Sequence, residues 1–180
     1  MHLEHLDGAG TRDRLGEIET VYAEAFPRSD LGDWRARTGR QITFSGFEAV
    51  TARLDGALAG FVYGLPLSAR SSWWEGLEPV PPPDFITETG ARTFAVIDLA
   101  VRPVHRGQGM GRRLLDELLA GRAEERATLA TAPDDRDVQR MYRRWGWRHV
   151  GRTPGQPGEA EAAFEIYVID LPRDAASSSR

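Results

Sequence analysis

A run of glycine and arginine residues follows an apolar stretch in the middle of the chain. The segment Arg106-Gly107-Gln108-Gly109-Met110-Gly111 comes soon after the apolar residues 93–101 and opens an amphipathic segment. Glycines let a backbone approach a ligand closely and adopt positive φ angles. The free N–H groups of a helix's first turn, with the helix dipole, form an anion site. Arg106, Arg112 and Arg113 add charge-assisted donors suited to phosphate.

The spacing of the glycines separates this segment from other phosphate-binding loops. A dinucleotide-binding fingerprint needs G-x-G-x-x-G, and a P-loop needs G-x-x-x-x-G-K-[ST]. Here the glycines fall at 107, 109 and 111, and the chain has no lysine. The alternative is a strand–helix turn in which glycine only provides tightness. The three arginines favour a phosphate-binding loop.

A second pattern lies downstream, in Met141-Tyr142-Arg143-Arg144-Trp145-Gly146-Trp147. Together the two patterns resemble the signatures of the GNAT acetyltransferase family. One is [RQ]-x-x-G-x-[GA] after a V-x-P strand exit, matched by Val101-x-Pro103 and residues 106–111. The other is a tyrosine followed by a glycine–aromatic pair. The resemblance covers about residues 47–171.

The resemblance implies both a fold and an activity. The fold would be α/β (α+β), with a mixed, mostly antiparallel central sheet of about six to seven strands and helices on both faces. The activity would be an acetyl-CoA-dependent N-acetyltransferase, in which a primary amine attacks the acyl carbon directly, without a covalent enzyme intermediate. Positioning and polarisation of the carbonyl would then supply much of the rate. A homodimer is expected because such dimers are common in the family.

The resemblance also assigns roles to individual residues. The backbone of Leu99, Ala100 and Val101 would hold the pantetheine arm, and Tyr142 would be the general acid for the departing thiolate. The pyrophosphate would be held by Arg106, Gly107, Gln108, Gly109, Met110, Gly111 and Arg112. Asp135 stands where many members have an asparagine that bonds the pantetheine arm. An ionised aspartate accepts but does not donate, so capping of the following helix is the other interpretation of Asp135, and the favoured one.

Asp98 is the candidate general base, because it is the one charged residue in the apolar segment TFAVIDLAV. Burial raises the pKa of a carboxylate toward the range that suits a base. The alternative is a structural salt bridge to one of the arginines. Some family members place the base three residues earlier, where this chain has Ala95, and a water chain is a third source of the base.

The predicted long loop at residues 68–90 is the expected place for acceptor recognition. Trp73 and Trp74 would line an acceptor pocket, pack the loop down, or form a dimer contact. By family analogy Phe26, Trp34 and Phe44 would line the other side. A tryptophan-rich lid favours a small-molecule amine, and an open polar groove would favour a protein or peptide amine. A non-catalytic acyl-CoA-binding regulatory module is the alternative from another class.

Hydrophobic periodicity and turn signals predict the elements that position these residues. Asp55-Gly56 indicates a hairpin. Strands are predicted at 2–6, 47–54, 57–65, 93–101, 127–131, 147–151 and 163–171. Helices are predicted at 11–26, 31–40, 109–126 and 135–145, with a turn at 153–158.

The composition restricts the class of protein. The chain has 180 residues, 41% of them hydrophobic, which predicts one domain over residues 1–172 with a flexible tail at 173–180. The absence of cysteine excludes disulfides and thiolate metal sites, and no metal is expected. A net charge of −4, with no long apolar run and no signal-like start, predicts a cytoplasmic protein without nucleic-acid or membrane partners.

Overall fold

The computed structural model describes residues 1–155 and 161–172. The predicted tail and the end of the predicted turn at 153–158 lie outside these residues. The elements in chain order are β1 (His2–Leu6), α1 (Gly8–Asp13), α2 (Leu15–Ala25), α3 (Leu31–Gln41), β2 (Glu48–Leu54), β3 (Ala57–Pro66), α4 (Pro83–Ile86), β4 (Thr93–Val101), a 3-10 turn (Pro103–His105), α5 (Met110–Leu119), β5 (Arg126–Thr131), α6 (Arg136–Arg144), β6 (Arg148–Pro154) and β7 (Ala163–Asp170).

The strands form one sheet in the order β1-β2-β3-β4-β5-β7-β6. The pairs β1–β2, β2–β3, β5–β7 and β6–β7 are antiparallel, and β4–β5 is parallel. The predicted mixed, mostly antiparallel sheet of six to seven strands is thereby confirmed with seven strands. The predicted hairpin is also confirmed, since Asp55 and Gly56 both have positive φ between β2 and β3.

The chain divides into two compact units. The first comprises Met1–Leu65 and Val96–Ala120, and the second comprises Pro66–Ala95 and the described residues from Gly121 onward. Strand β4 contributes residues to both units, because Thr93–Ala95 belong to the second and the rest of the strand to the first.

In the first unit, strand β3 is buried on both faces. Residues 58–64 of β3 are all buried, and successive side chains of a strand point to opposite faces. Helix α2 contributes Ile18, Val21, Tyr22 and Ala25 at helical spacing. The single helix predicted at 11–26 is wrong. Asp7 accepts from the Gly10 amide and begins a separate helix α1, and Arg14, with φ −108° and ψ 11°, interrupts the chain before α2 takes up the apolar stripe.

The predicted loop at residues 68–90 of the second unit is mostly irregular, with two short regular pieces. Within residues 68–90 lie helix α4 and a bridge between Glu78 and Arg152. Trp74 is buried, and its Nε1 donates to Glu88 Oε1 at 2.9 Å. The same oxygen accepts from Arg126, whose guanidinium lies over the Trp74 ring.

The predicted extent of α5 to residue 126 is wrong, because the helix ends at Leu119. Gly121 adopts φ 72°, which glycine reaches without steric cost. Arg126 then begins β5, where its Nε donates to Thr93 Oγ1 at 2.8 Å. Throughout residues 1–155 and 161–172, no helix is long and apolar enough to span a bilayer.

Candidate active site

The glycine loop has the backbone shape that its sequence predicts. Gly107 and Gly109 have φ 74° and 79°, and Gly109 is the N-cap of α5 with no side-chain capping bond. A Cβ added at either position would meet no atom within 4 Å. These two glycines are therefore required by backbone conformation, and the space in front of them is open.

The amides of this loop are available to a ligand. Across the described ranges no acceptor meets the backbone N–H groups of Gly107, Gln108, Gly109, Met110 or Gly111. An open row of amides at a helix N-terminus, supported by the helix dipole, binds an anion such as a phosphate.

The arginines around the loop have different surroundings. Arg106 Nη2 donates to the carbonyl of Ala25 at 3.0 Å and its Nε to the carbonyl of Val101 at 3.2 Å, so its side chain fastens the loop to the end of α2. Arg112 pairs with Asp116 through two bonds of 2.8 Å. Arg113 is exposed beside a cavity of about 180 Å³ that Gln108 and Met110 also line.

The end of β4 leads into the loop. Its parallel register with β5 covers Thr93, Phe94 and Ala95, and the predicted pantetheine-binding residues Leu99, Ala100 and Val101 lie beyond that register. Gly60 of β3 lets the chain approach closely here, since a Cβ at that position would lie 2.8 Å from the Ala100 carbonyl oxygen.

Asp98 is held by a set of donors in the first unit. Its Oδ2 accepts from Tyr63 Oη at 2.7 Å and from Trp34 Nε1 at 2.9 Å. Arg37 Nη2 lies 3.2 Å from Oδ2 and 3.4 Å from Oδ1. The salt bridge weighed as the alternative role of Asp98 is thus present, and the role of Asp98 as a base stays a prediction.

Tyr63 acts as a neutral donor in this cluster. Burial, reinforced by the charge of Asp98, raises the pKa of Tyr63 well above its usual range. Thr38 Oγ1 lies 3.0 Å from the same hydroxyl. The phenol therefore keeps its proton for the carboxylate.

Tyr142 lies in the second unit, in a helix end whose geometry explains the second sequence pattern. The Trp147 amide donates to the Tyr142 carbonyl and the Gly146 amide to that of Arg143, while Gly146 has φ 92°. These bonds form a Schellman motif, in which a glycine in the left-handed region ends the helix. The rings of Tyr142 and Trp147 meet edge to face at 5.9 Å. The glycine–aromatic pair thus fixes the tyrosine ring.

The Tyr142 hydroxyl keeps its proton across the ordinary pH range. Burial, and to a lesser extent the charge of Asp135, raises the pKa of Tyr142. Among the described residues this hydroxyl has no hydrogen-bond partner. The capping interpretation of Asp135 is confirmed, since its side chain accepts from the Val138 amide at 3.3 Å; its contact with a cofactor stays a prediction.

The aromatic residues predicted near the acceptor occupy several environments. Trp74 packs the loop down, and Trp73 is half-buried with its Nε1 donating to Thr128 Oγ1 at 3.1 Å. Trp34 is 1% exposed, so this core residue does not line an open cleft. Phe26 and Phe44 are exposed, and Phe26 packs against Tyr22 with ring centroids 4.9 Å apart.

The fold and the loop together define a class of protein. Residues 13–147, well over half of the chain, match the Acetyltransferase (GNAT) family. The chain belongs to this family of acetyltransferases.

Its similarity to individual proteins extends over nearly the whole chain. It is 29% identical over 192 residues to the GCN5-like protein acetyltransferase Rv2170 of Mycobacterium tuberculosis, covering 88% of this chain and 92% of that protein. An aminoglycoside 6'-acetyltransferase type Ii shares its fold with a TM-score of 0.67 and 18% identity, over 97% of this chain and 100% of that one. The yncA protein of Salmonella typhimurium, solved with its cofactor acetyl-CoA, has a TM-score of 0.63 and 15% identity over 100% and 99% of the two chains.

Arg37, Trp34 and Tyr63 were not predicted as partners of Asp98. The only signal was the single charge in an apolar strand, which indicates that some donor must meet it. The partners are 35 to 64 residues away in sequence, so spacing does not identify them.

Proposed function

We propose that this chain is an acetyl-CoA-dependent N-acetyltransferase that acts on a primary amine of a small molecule. The observation that carries the proposal is the row of open amides from Gly107 to Gly111 at the start of α5. Membership of the GNAT family supports the reaction class.

Acetyl-CoA fits the chemistry of the residues that would hold it. The open amides and the exposed Arg113 suit a pyrophosphate, and the backbone of Leu99, Ala100 and Val101 suits the amide-bearing pantetheine arm. When bound, acetyl-CoA supplies an acyl group activated as a thioester. The paired Arg106 would act mainly by holding the loop, because its guanidinium is engaged by the Ala25 and Val101 carbonyls.

The proton transfers are assigned to two groups. The acceptor amine loses a proton to Asp98 or to water, and its nitrogen forms a bond to the acyl carbon as the carbon–sulfur bond breaks. Tyr142 donates its phenolic proton to the departing sulfur and regains one from solvent. A general acid or base of this kind contributes about 10²- to 10⁴-fold in rate.

Calorimetric titration of acetyl-CoA into Gly109→Ala tests the loop, with Gly121→Ala as the matched control. Both glycines flank α5, both have positive φ, and an added Cβ meets nothing within 4 Å at either position. Alanine therefore imposes a similar backbone strain of roughly 1–2 kcal/mol at both. We expect Gly109→Ala to weaken binding at least tenfold and Gly121→Ala to leave it unchanged. Failure of the folded wild-type protein to bind acetyl-CoA would refute the proposal.

A protein amine is the second candidate acceptor, because the Mycobacterium tuberculosis relative is named a protein acetyltransferase. The burial of Trp74 in the second unit also removes that side chain as a free lid residue. Turnover measured on a panel of small amines and on denatured and native proteins separates the two. Binding of acetyl-CoA without any turnover would instead support the acyl-CoA-binding regulatory module.

A further inference from the structure

Arg37 on α3 presents donors that the fold does not use. An arginine has five N–H donors in a planar fork, and only Nη2 of Arg37 bonds to Asp98. The guanidinium also hydrogen-bonds the Tyr22 hydroxyl, and in the described part of the chain no other side chain bonds its remaining N–H groups. The side chain is 37% exposed while Asp98 is 11% exposed, so the guanidinium lies at the boundary between the cluster and solvent.

The cluster holds Arg37 in place without neutralising it fully. Asp98 also accepts hydrogen bonds from Tyr63 and Trp34, and these bonds disperse part of the negative charge that faces Arg37. Burial opposes the charge, but Asp98 and the nearby phenols raise the pKa of Arg37. The guanidinium is therefore permanently cationic and fixed, with part of its donor fork left for a further anion.

An aromatic cluster adjoins Arg37, and Phe26 is its exposed member. Tyr22 stacks on Trp34 at 4.7 Å and contacts the exposed Phe26 at 4.9 Å. Asp98 and Arg37 both act electrostatically on the Tyr22 phenol, whose pKa burial raises. Arg37 and Phe26 thus both contact one tyrosine, so the charged group and the apolar group of one small molecule meet a cation and an exposed ring.

Chain connectivity places this surface beside the proposed acyl-CoA residues of the first unit. Asp98 directly precedes Leu99 on β4, and Ala25, which directly precedes Phe26, accepts from Arg106 of the glycine loop. The guanidinium is thus one side chain away from the strand proposed to hold the pantetheine arm.

We infer that Arg37 binds a carboxylate of the acceptor, so that the acceptor class is an amino acid or a closely similar amine that also carries a carboxylate. The planar fork of arginine binds a carboxylate through two parallel bonds. A dianionic phosphate is less suited, because Asp98 lies 3.2 Å from the same guanidinium. The inference rests on the proposed function and names its substrate class.

The test compares amino acids with their amides, which keep the amine and lose the charge. Acetylation rates and direct calorimetric binding are measured for each acid–amide pair, with wild-type protein, Arg37→Gln, Arg37→Lys and Arg40→Gln. Arg40 lies one turn along the same helix and is exposed, so it controls for loss of charge alone. If Arg37→Gln fails to fold, Arg37→Lys still tests the inference. It keeps a cation beside Asp98 and removes only the planar fork.

We expect wild-type protein to prefer at least one acid over its amide. Arg37→Gln should abolish that preference through a rise in KM of roughly 10- to 100-fold, the value of a charge-assisted bond pair. Arg37→Lys should lose part of the preference and Arg40→Gln none. Equal use of acids and amides by wild-type protein, or an equal loss for both in Arg37→Gln, would overturn the inference. Titration with acetyl-CoA tests the proposed function separately, because acetyl-CoA binding is measured without the acceptor.

Discussion

At the scale of single residues, Asp98 and Tyr142 are two ionisable groups with contrasting hydrogen-bonding surroundings. Asp98 is surrounded by donors and an arginine, so its lone pairs are engaged in the folded protein. Tyr142 is buried among aromatic rings, and its hydroxyl has no hydrogen-bond partner in the described residues. Asp98 is held in place by its donors, whereas Tyr142 keeps a proton for which no described residue competes.

Replacing Tyr142 with phenylalanine tests the general acid directly. The ring contacts with Trp145 and Trp147 persist, so stability and acetyl-CoA affinity should change little. Steady-state kinetics should show kcat falling by about 10²-fold or more.

A thioester whose thiol is more acidic needs less help in leaving, so the variant should lose less activity with such a donor. An equal loss with both donors would assign Tyr142 a purely structural role. Because the pKa of Tyr142 is raised, its deprotonation should not limit the wild-type rate below about pH 10.

At the scale of elements, the sequence predicts regular segments well and their ends less well. The alternation around Asp55-Gly56 and the mostly apolar sequence of β4 are local signals, and both strand predictions are confirmed. The amphipathic pattern of α5 continues toward residue 126, but the helix ends earlier. Gly121 has a positive φ, and Arg126 hydrogen-bonds Thr93 from its place in β5. The partners of Asp98 depend on how α3, β3 and β4 come together, which no local pattern encodes.

A histidine joins three elements of the first unit and gives a pH-dependent prediction. His5 on β1 bonds Glu48 of β2 at 2.7 Å and Glu117 of α5 at 2.9 Å, and these bonds, that to Glu117 first, raise the pKa of His5. A raised folded-state pKa contributes stability that is fully present below the unfolded value of about 6.5 and is lost as pH rises through the folded value.

Thermal unfolding of His5→Gln should therefore show its largest deficit against wild type near pH 6 and little deficit at pH 9. Both bridges are solvent-accessible, so the deficit should be about 0.2–1 kcal/mol. His2→Gln, an exposed change on the same strand, serves as the control and should show no such pH dependence. A deficit for His5→Gln that is constant with pH would contradict the electrostatic explanation.

At the scale of the whole molecule, two compact units share one strand. Strand β4 supplies three residues to the parallel pairing in the second unit and continues into the first unit without a break. Neither unit is a continuous piece of chain, so neither is a ready candidate for independent folding. The single domain predicted over residues 1–172 stays a prediction.

Calorimetry tests that prediction. If residues 1–172 unfold as one domain, the calorimetric and van't Hoff enthalpies should agree in a single transition. Two resolved transitions would show that the units unfold separately. Light scattering on the same sample tests the predicted homodimer.

Hydrogen exchange at the open amides of the glycine loop also shows whether a ligand is bound to the loop. An N–H without an acceptor exchanges its hydrogen with heavy water quickly, whereas an N–H bonded to a ligand exchanges only when that bond opens. The peptide that contains Gly107 to Gly111 should label rapidly in the free protein and slowly once a pyrophosphate covers it. Mass spectrometry of this peptide would then report ligand binding without a chromophore, a tag or turnover.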